Sequence, residues 1–143
     1  MNIKNYTTEV SASRSIENIE KLLVEFGATN INKQYKDGKC SGISFLVEMN
    51  GMRLPFRLPT KVENVHRWLK KKRPQATPKT LLEQSERIAW KLQHEWIHLQ
   101  LSLIEMEQLE KMEAFFPYLY DIKQDQTYYE KLKVDGFKQL TNG

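Results

Sequence analysis

One pentapeptide of this chain has the residue types and the spacing of a catalytic metal site. Residues 94–98 read His-Glu-Trp-Ile-His, the HExxH pattern, and lie in an apolar-rich segment with helical periodicity. Side chains four residues apart lie one above the other on a helix, so His94 and His98 could both reach one zinc ion. Glu95 would then serve as general base on a metal-bound water. The pattern alone therefore predicts a zinc hydrolase.

The rest of the sequence favours a different interpretation of these two histidines. A catalytic zinc needs a third protein ligand, and no histidine follows at the spacing of the extended protease motifs. We therefore interpret His94, Glu95 and His98 as incidental helix surface. On this interpretation we predict no catalytic residue, no metal and no cofactor. The zinc hydrolase stays as an alternative hypothesis.

A short basic segment is the second candidate site. Residues 61–79 hold seven basic side chains and one acidic side chain, whereas residues 80–143 hold seven basic and eleven acidic, so the net charge of +4 hides a local excess. Concentrated positive charge attracts phosphates and gives salt-dependent binding. We predict a nucleic-acid-binding patch formed by Arg53, Arg57, Arg67, Lys70, Lys71, Lys72, Arg73 and Lys79.

The same segment adds aromatic rings to its charge, and two other interpretations of it stay open. His66 and Trp68 add rings on which single-stranded bases could stack. Alternatively, the lysines simply complement the negative end of a helix dipole and keep the protein soluble. A third hypothesis places the function in contact with a host or phage protein, as in an anti-defence factor that acts by occlusion.

The periodicity of the first half predicts a helix and then a small antiparallel sheet. Ile16, Ile19 and Leu23 share one helical face, and alternation of apolar residues predicts strands around 43–47 and 52–58. Asp37-Gly38 and Asn50-Gly51 are hairpin signals. Pro55 cannot donate a ladder hydrogen bond, which places its strand at a sheet edge or at a bulge. Thr60 and Glu63 have the spacing of a capping box for the basic helix.

A long helix is predicted from about residue 77 to about 113, followed by an aromatic and polar tail over 114–143. Pro78 suits the first helical position, and apolar residues form two stripes along the helix. Such a helix packs between layers or pairs with a second copy, so we also hypothesise a homodimer through it. We predict one α+β domain over 1–143, with three or four strands within about 1–73, an N-terminal helix, a short basic helix and the long helix.

Bulk composition predicts an intracellular protein. Cys40 is the single cysteine, so no disulfide can form within one chain. The segment after Met1 lacks the apolar run of a signal peptide, and no stretch approaches the roughly 20 apolar residues of a membrane span. We expect a cytoplasmic location and no membrane partner.

Three segments of the chain resemble a known group of proteins. They read NYTTEVSASRSI (residues 5–16), LPFRLP (54–59) and QSERIAW (84–90). In these the chain resembles a family of small uncharacterised proteins of bacteriophages and other mobile elements. The resemblance implies a cytoplasmic accessory protein, supplies no catalytic site, and implies that Arg87, Trp90 and Trp96 matter for the shared structure. It also implies that a pair matching His94 and His98 is not a family feature.

Overall fold

The computed structural model describes residues 1–141 and has an α+β fold, as the sequence predicts. Five helices, a three-stranded antiparallel sheet and a two-stranded sheet lie in this range. The helices are α1 (Ala12–Glu25), α2 (Val62–Lys72), α3 (Pro78–Glu105), α4 (Lys111–Phe115) and α5 (Tyr128–Val134). The strands are β1 (Thr29–Lys36), β2 (Lys39–Met49), β3 (Met52–Pro59), β4 (Tyr120–Asp121) and β5 (Gln126–Thr127). The N-terminal helix, the short basic helix and the long helix of the sequence analysis are all present.

The chain divides into two compact units, each built from two separate segments. The helical unit comprises residues 1–26 and 60–102, and the sheet unit comprises residues 27–59 and 103–141. The helical unit therefore contains α1, α2 and most of α3. The sheet unit contains all five strands and the short helices near the C-terminus. The single domain expected from the sequence stays a prediction.

A small apolar cluster fixes α2 in the helical unit. Leu69 is fully buried and packs with Leu81 and Ile88 of α3. Partly buried side chains surround this cluster, namely Tyr6, Val65, Trp68, Ala76 and Leu92. The start of α2 differs from the expected capping box, because Lys61 is the N-cap and no side chain caps the helix. The Thr60 hydroxyl is instead buried without a hydrogen-bond partner among residues 1–141.

Two tight hairpins set the register of the three-stranded sheet. At each turn an Asx-Gly pair has positive φ at both residues, 53° and 77° at Asp37-Gly38 and 52° and 76° at Asn50-Gly51. This is the conformation that matches the twist of adjacent strands. The strand order is β1-β2-β3, so β3 with Pro55 lies at an edge, as predicted.

The C-terminal part is more regular than its sequence pattern indicates. The helix α3 ends at Glu105 rather than near residue 113, and Glu107 follows with a φ of 58°. Two capping boxes then start α4 and α5, because the side chains of Glu113 and Glu130 return to the backbone of their N-caps, Glu110 and Thr127. The expected polar tail therefore forms helices. Local capping hydrogen bonds begin these helices, although the segment has no extended apolar pattern. Across residues 1–141, no helix is long and apolar enough to cross a membrane.

Three phenylalanines form the aromatic centre of the sheet unit. Phe115 is fully buried, and its ring centroid lies 6.1 Å from that of Phe45 and 6.0 Å from that of Phe56. Phe115 lies at the start of the aromatic and polar tail that the sequence predicts, and it packs against both of these sheet residues. Its neighbour Phe116 remains 42% exposed.

We expect Phe115→Ala to destabilise the protein by about 3–5 kcal/mol, since it removes a fully buried ring and leaves a cavity. Phe116→Ala is the matched control and should cost about 1 kcal/mol, because much of that ring is already in water. Urea unfolding followed by circular dichroism measures both. Equal effects of the two substitutions would contradict the assigned core.

Candidate functional site

Six basic side chains lie in the second half of α2, just after it and in the first turn of α3. All six are exposed, and none has a carboxylate within 4.0 Å among residues 1–141. We call them the basic cluster: Arg67, Lys70, Lys71, Lys72, Arg73 and Lys79. Cations concentrated at a surface without carboxylate partners attract polyanions.

The amphipathic pattern of α2 decides where these charges point. Leu69 is turned into the apolar cluster, and at 3.6 residues per turn Arg67 and Lys71 then fall on the opposite side of the helix. The last turn holds Lys70, Lys71 and Lys72, near the backbone carbonyls that end the helix. The negative end of the helix dipole makes that turn a favourable place for lysine.

The excess of basic over acidic side chains lies in the helical unit. This unit holds 12 basic and 8 acidic side chains, whereas the sheet unit holds 10 of each. The uneven charge seen along the sequence is therefore a difference between two compact bodies. A polyanion would be attracted to the body that carries the basic cluster.

Arg53 and Arg57 belong to the sheet unit, whereas the six members of the basic cluster belong to the helical unit. Arg57 is an ion-pair partner, because its Nη1 donates to Oδ1 of Asp125 at 2.7 Å and its guanidinium lies 5.4 Å from the Tyr120 ring centroid. Arg53 donates to the hydroxyl of Thr29 at 3.4 Å. Neither interaction supports the phosphate-binding role predicted for these two arginines.

An aromatic pair lies beside the basic cluster. The rings of Tyr6 and Trp68 meet edge to face with centroids 6.0 Å apart, and both are partly exposed. The ammonium of Lys72 lies 5.8 Å from the centroid of the Tyr6 ring. The sequence indicates Trp68 but not Tyr6, because only tertiary packing brings the N-terminal segment to α2.

The N-terminal segment is attached to α3 by side-chain hydrogen bonds. We call residues 4–8 the N-terminal strap. Gln84 donates from Nε2 to the carbonyl oxygens of Tyr6 and Thr8, at 3.2 and 3.0 Å. Asn5 donates from Nδ2 to Glu95 Oε2 at 2.8 Å. These bonds hold the Tyr6 backbone while its ring reaches Trp68.

Among the residues of the HExxH pattern, Glu95 has hydrogen-bond and ion-pair partners within the fold. Oε2 of Glu95 accepts the bond from Asn5 and lies 3.4 Å from Lys4 Nζ, so this carboxylate anchors the strap. The rings of His94 and His98 are nearly parallel, with centroids 6.2 Å apart. Nδ1 of His94 is buried without a hydrogen-bond partner within residues 1–141. In metal-binding histidines the N–H of the second ring nitrogen almost always donates a hydrogen bond to a partner that orients the ring.

A third ligand is also missing from the described part of the chain. Residues 1–141 contain no group of three His, Cys, Asp or Glu side chains placed to hold a metal ion. Two imidazoles on one helix face fall short of the three protein ligands of a catalytic zinc. The geometry therefore gives the zinc hypothesis no support beyond the pattern itself.

The electrostatics of α3 follow from these contacts. Burial lowers the pKa of His94 below its usual value of 6.5, and the nearby charges of Lys91 and His98 lower it further. For Glu95, partial burial works to raise the pKa, but the hydrogen bond from Asn5 and the ammonium groups of Lys4 and Lys91 outweigh it, so the pKa is lowered. At neutral pH His94 is therefore uncharged and Glu95 is ionised.

Comparison with protein-family models, with curated proteins and with solved structures finds no match to this chain.

We expect stability to fall as pH is lowered below about 6.5, because the unfolded chain binds a proton at His94 before the folded chain does. His94→Gln should reduce this loss between pH 6.5 and the lower pKa of the folded state. Thermal melting across a pH series measures the effect, with His66→Gln as the matched control. An unchanged pH profile in His94→Gln would contradict the assigned burial.

We expect added zinc to leave the melting temperature unchanged, because a ligand that binds the native state must raise it and no third ligand joins His94 and His98 among the described residues. Melting with zinc and with a chelator tests this directly. A zinc-dependent rise in melting temperature that His98→Gln abolishes would restore the hydrolase hypothesis.

Proposed function

We propose that this chain is a non-enzymatic accessory protein of a bacteriophage or other mobile element, and that it binds nucleic acid or a nucleoprotein complex through the basic cluster. The observation that carries the proposal is the set of six exposed cations without a carboxylate partner in residues 1–141. Phosphates that contact these side chains release condensed counterions, which favours binding at low salt.

The helix dipole accounts for only part of the basic cluster. Its effect falls off within the last turn, which holds Lys70, Lys71 and Lys72. Arg67 lies before this turn, and Arg73 and Lys79 lie beyond the last helical residue of α2. A solvated helix end explains three lysines but gives no reason for the other three cations. A polyanion that reaches beyond the helix end would give these three cations a binding role.

The charge difference between the units supports the same assignment. A protein that uses positive charge only for solubility gains nothing from confining the excess to one compact unit. Here the helical unit has four more basic than acidic side chains and the sheet unit is balanced. Confinement of charge is typical of an electrostatic binding surface.

A protein partner is the second candidate. Leu99, a large apolar residue on α3, is 56% exposed in the helical unit. Such a residue suits contact with a second copy or with a host protein, as an anti-defence factor would require. A single exposed leucine is also common on ordinary surfaces, so the nucleic-acid function is the better supported.

The test of the nucleic-acid function is the double variant Lys70→Glu and Lys71→Glu. We expect its affinity for short DNA and RNA to fall at least about tenfold at low salt, because two phosphate contacts become repulsive. Fluorescence anisotropy across a salt series gives the affinity and its salt slope. The slope should flatten by about one for each phosphate that the variant no longer neutralises.

The matched control makes the same charge change in the other unit. Lys133→Glu and Lys138→Glu reverse two exposed lysines of the sheet unit and should leave binding nearly unchanged. Circular dichroism checks that both double variants are folded. Equal weakening of binding in the two double variants would mean that binding depends only on the net charge of the protein and not on the basic cluster. Unchanged binding in the α2 variant would remove the proposal, and a partner that stays bound after nuclease and high salt would support the protein-binding function instead.

A further inference from the structure

The aromatic pair beside the basic cluster gives this surface a second chemistry. Tyr6 and Trp68 pack against the Leu69, Leu81 and Ile88 cluster, and both residues are partly exposed. The α2 residues three and four positions after Trp68 are the exposed lysines Lys71 and Lys72. Rings next to cations form the combination on which single-stranded bases stack while the backbone is neutralised.

The spacing on α2 fits one nucleotide. Trp68 and Lys72 are four residues apart, so they lie on the same side of the helix one turn from each other. A base on the ring would therefore have its own phosphate near the ammonium. Lys71, three residues from Trp68, is placed to meet the adjacent phosphate.

Lys72 also has a position that a phosphate would change. Its ammonium lies over the Tyr6 ring at 5.8 Å from the centroid. A cation–π contact at an exposed site is weak, so an incoming phosphate can draw the ammonium away from the ring. The departure of the ammonium uncovers ring surface at the same time as it neutralises the backbone. The Lys72 ammonium would then contact the phosphate of the same nucleotide whose base stacks on the exposed ring.

We infer that the ligand is single-stranded nucleic acid, with an unpaired base stacked at Tyr6 and Trp68 and its phosphates on the basic cluster. The inference rests on the proposed function and narrows it. A duplex offers phosphates to the lysines but keeps its base faces inside the stack. Single-stranded DNA and RNA share the chemistry required here, since every base has a π-face.

The first experiment needs only the wild-type protein. Anisotropy is measured with an oligothymidylate, an oligouridylate, a duplex and an abasic strand, all of one length. We expect the abasic strand, which keeps the charge and lacks the bases, to bind roughly tenfold more weakly than the oligothymidylate at the same salt. The duplex should also bind more weakly than the single strands. Comparison of the affinities for oligothymidylate and oligouridylate shows whether the protein prefers single-stranded DNA or single-stranded RNA.

A pair of substitutions at Tyr6 tests the ring itself. Tyr6→Leu should weaken single-strand binding roughly tenfold without changing the salt slope, because the variant removes a stacking surface and keeps every charge. Tyr6→Phe keeps the ring and should restore affinity. The bonds from Gln84 to the strap use backbone oxygens, so both variants keep them. Circular dichroism verifies the fold of each.

The outcomes separate this inference from the function on which it rests. Equal affinity for the abasic strand and the oligothymidylate would overturn base stacking while leaving phosphate binding by the basic cluster in place. Tighter binding of the duplex would do the same. If none of the four ligands binds at low salt, both the inference and the proposed function fail. The wild-type comparison distinguishes these cases even if Tyr6→Leu does not fold.

Discussion

The burial of Leu69 against Leu81 and Ile88 is the constraint on which the candidate surface depends. A helix has only one rotation that buries a given side chain, so this contact decides which residues of α2 reach water. Arg67 and Lys71 then point outward, and Trp68 lies at the border of the apolar cluster. The same apolar contact that stabilises the helical unit therefore presents the cations and places an aromatic ring beside them.

The N-terminal strap extends this surface with residues that are distant in sequence. Gln84 and Glu95, on α3, bind the strap at two points, and Tyr6 of the strap reaches the ring of Trp68. Glu95 shows how a residue of a catalytic pattern can serve the fold. An ionised carboxylate with hydrogen-bond and ammonium partners is stabilised in the folded state, which gives a reason for its presence without a metal.

The sequence predicts those elements whose causes are local. The two Asx-Gly hairpins, the edge position of the Pro55 strand and the N-terminal and long helices follow from turn chemistry, a missing N–H group and apolar spacing, and the structure has all of them. The prediction from sequence is wrong at Thr60, because the hydroxyl expected to cap α2 is buried without a partner among the described residues. The sequence pattern also misses the short helices of the tail. Capping boxes at Glu110 and Thr127 begin these helices, and neither helix is long enough to show a repeated apolar pattern.

The sequence by itself determined the basic segment, because charge density along a chain needs no folding to be counted. It did not determine which cations act together. Tertiary structure pairs Arg57 with Asp125 in the sheet unit and leaves the six cations around α2 without carboxylate partners among residues 1–141, since an ion pair depends on distances that close only on folding. It likewise decided the partners of Tyr6 and Glu95, because hydrogen bonds and ring contacts between distant segments leave no periodic trace in the sequence.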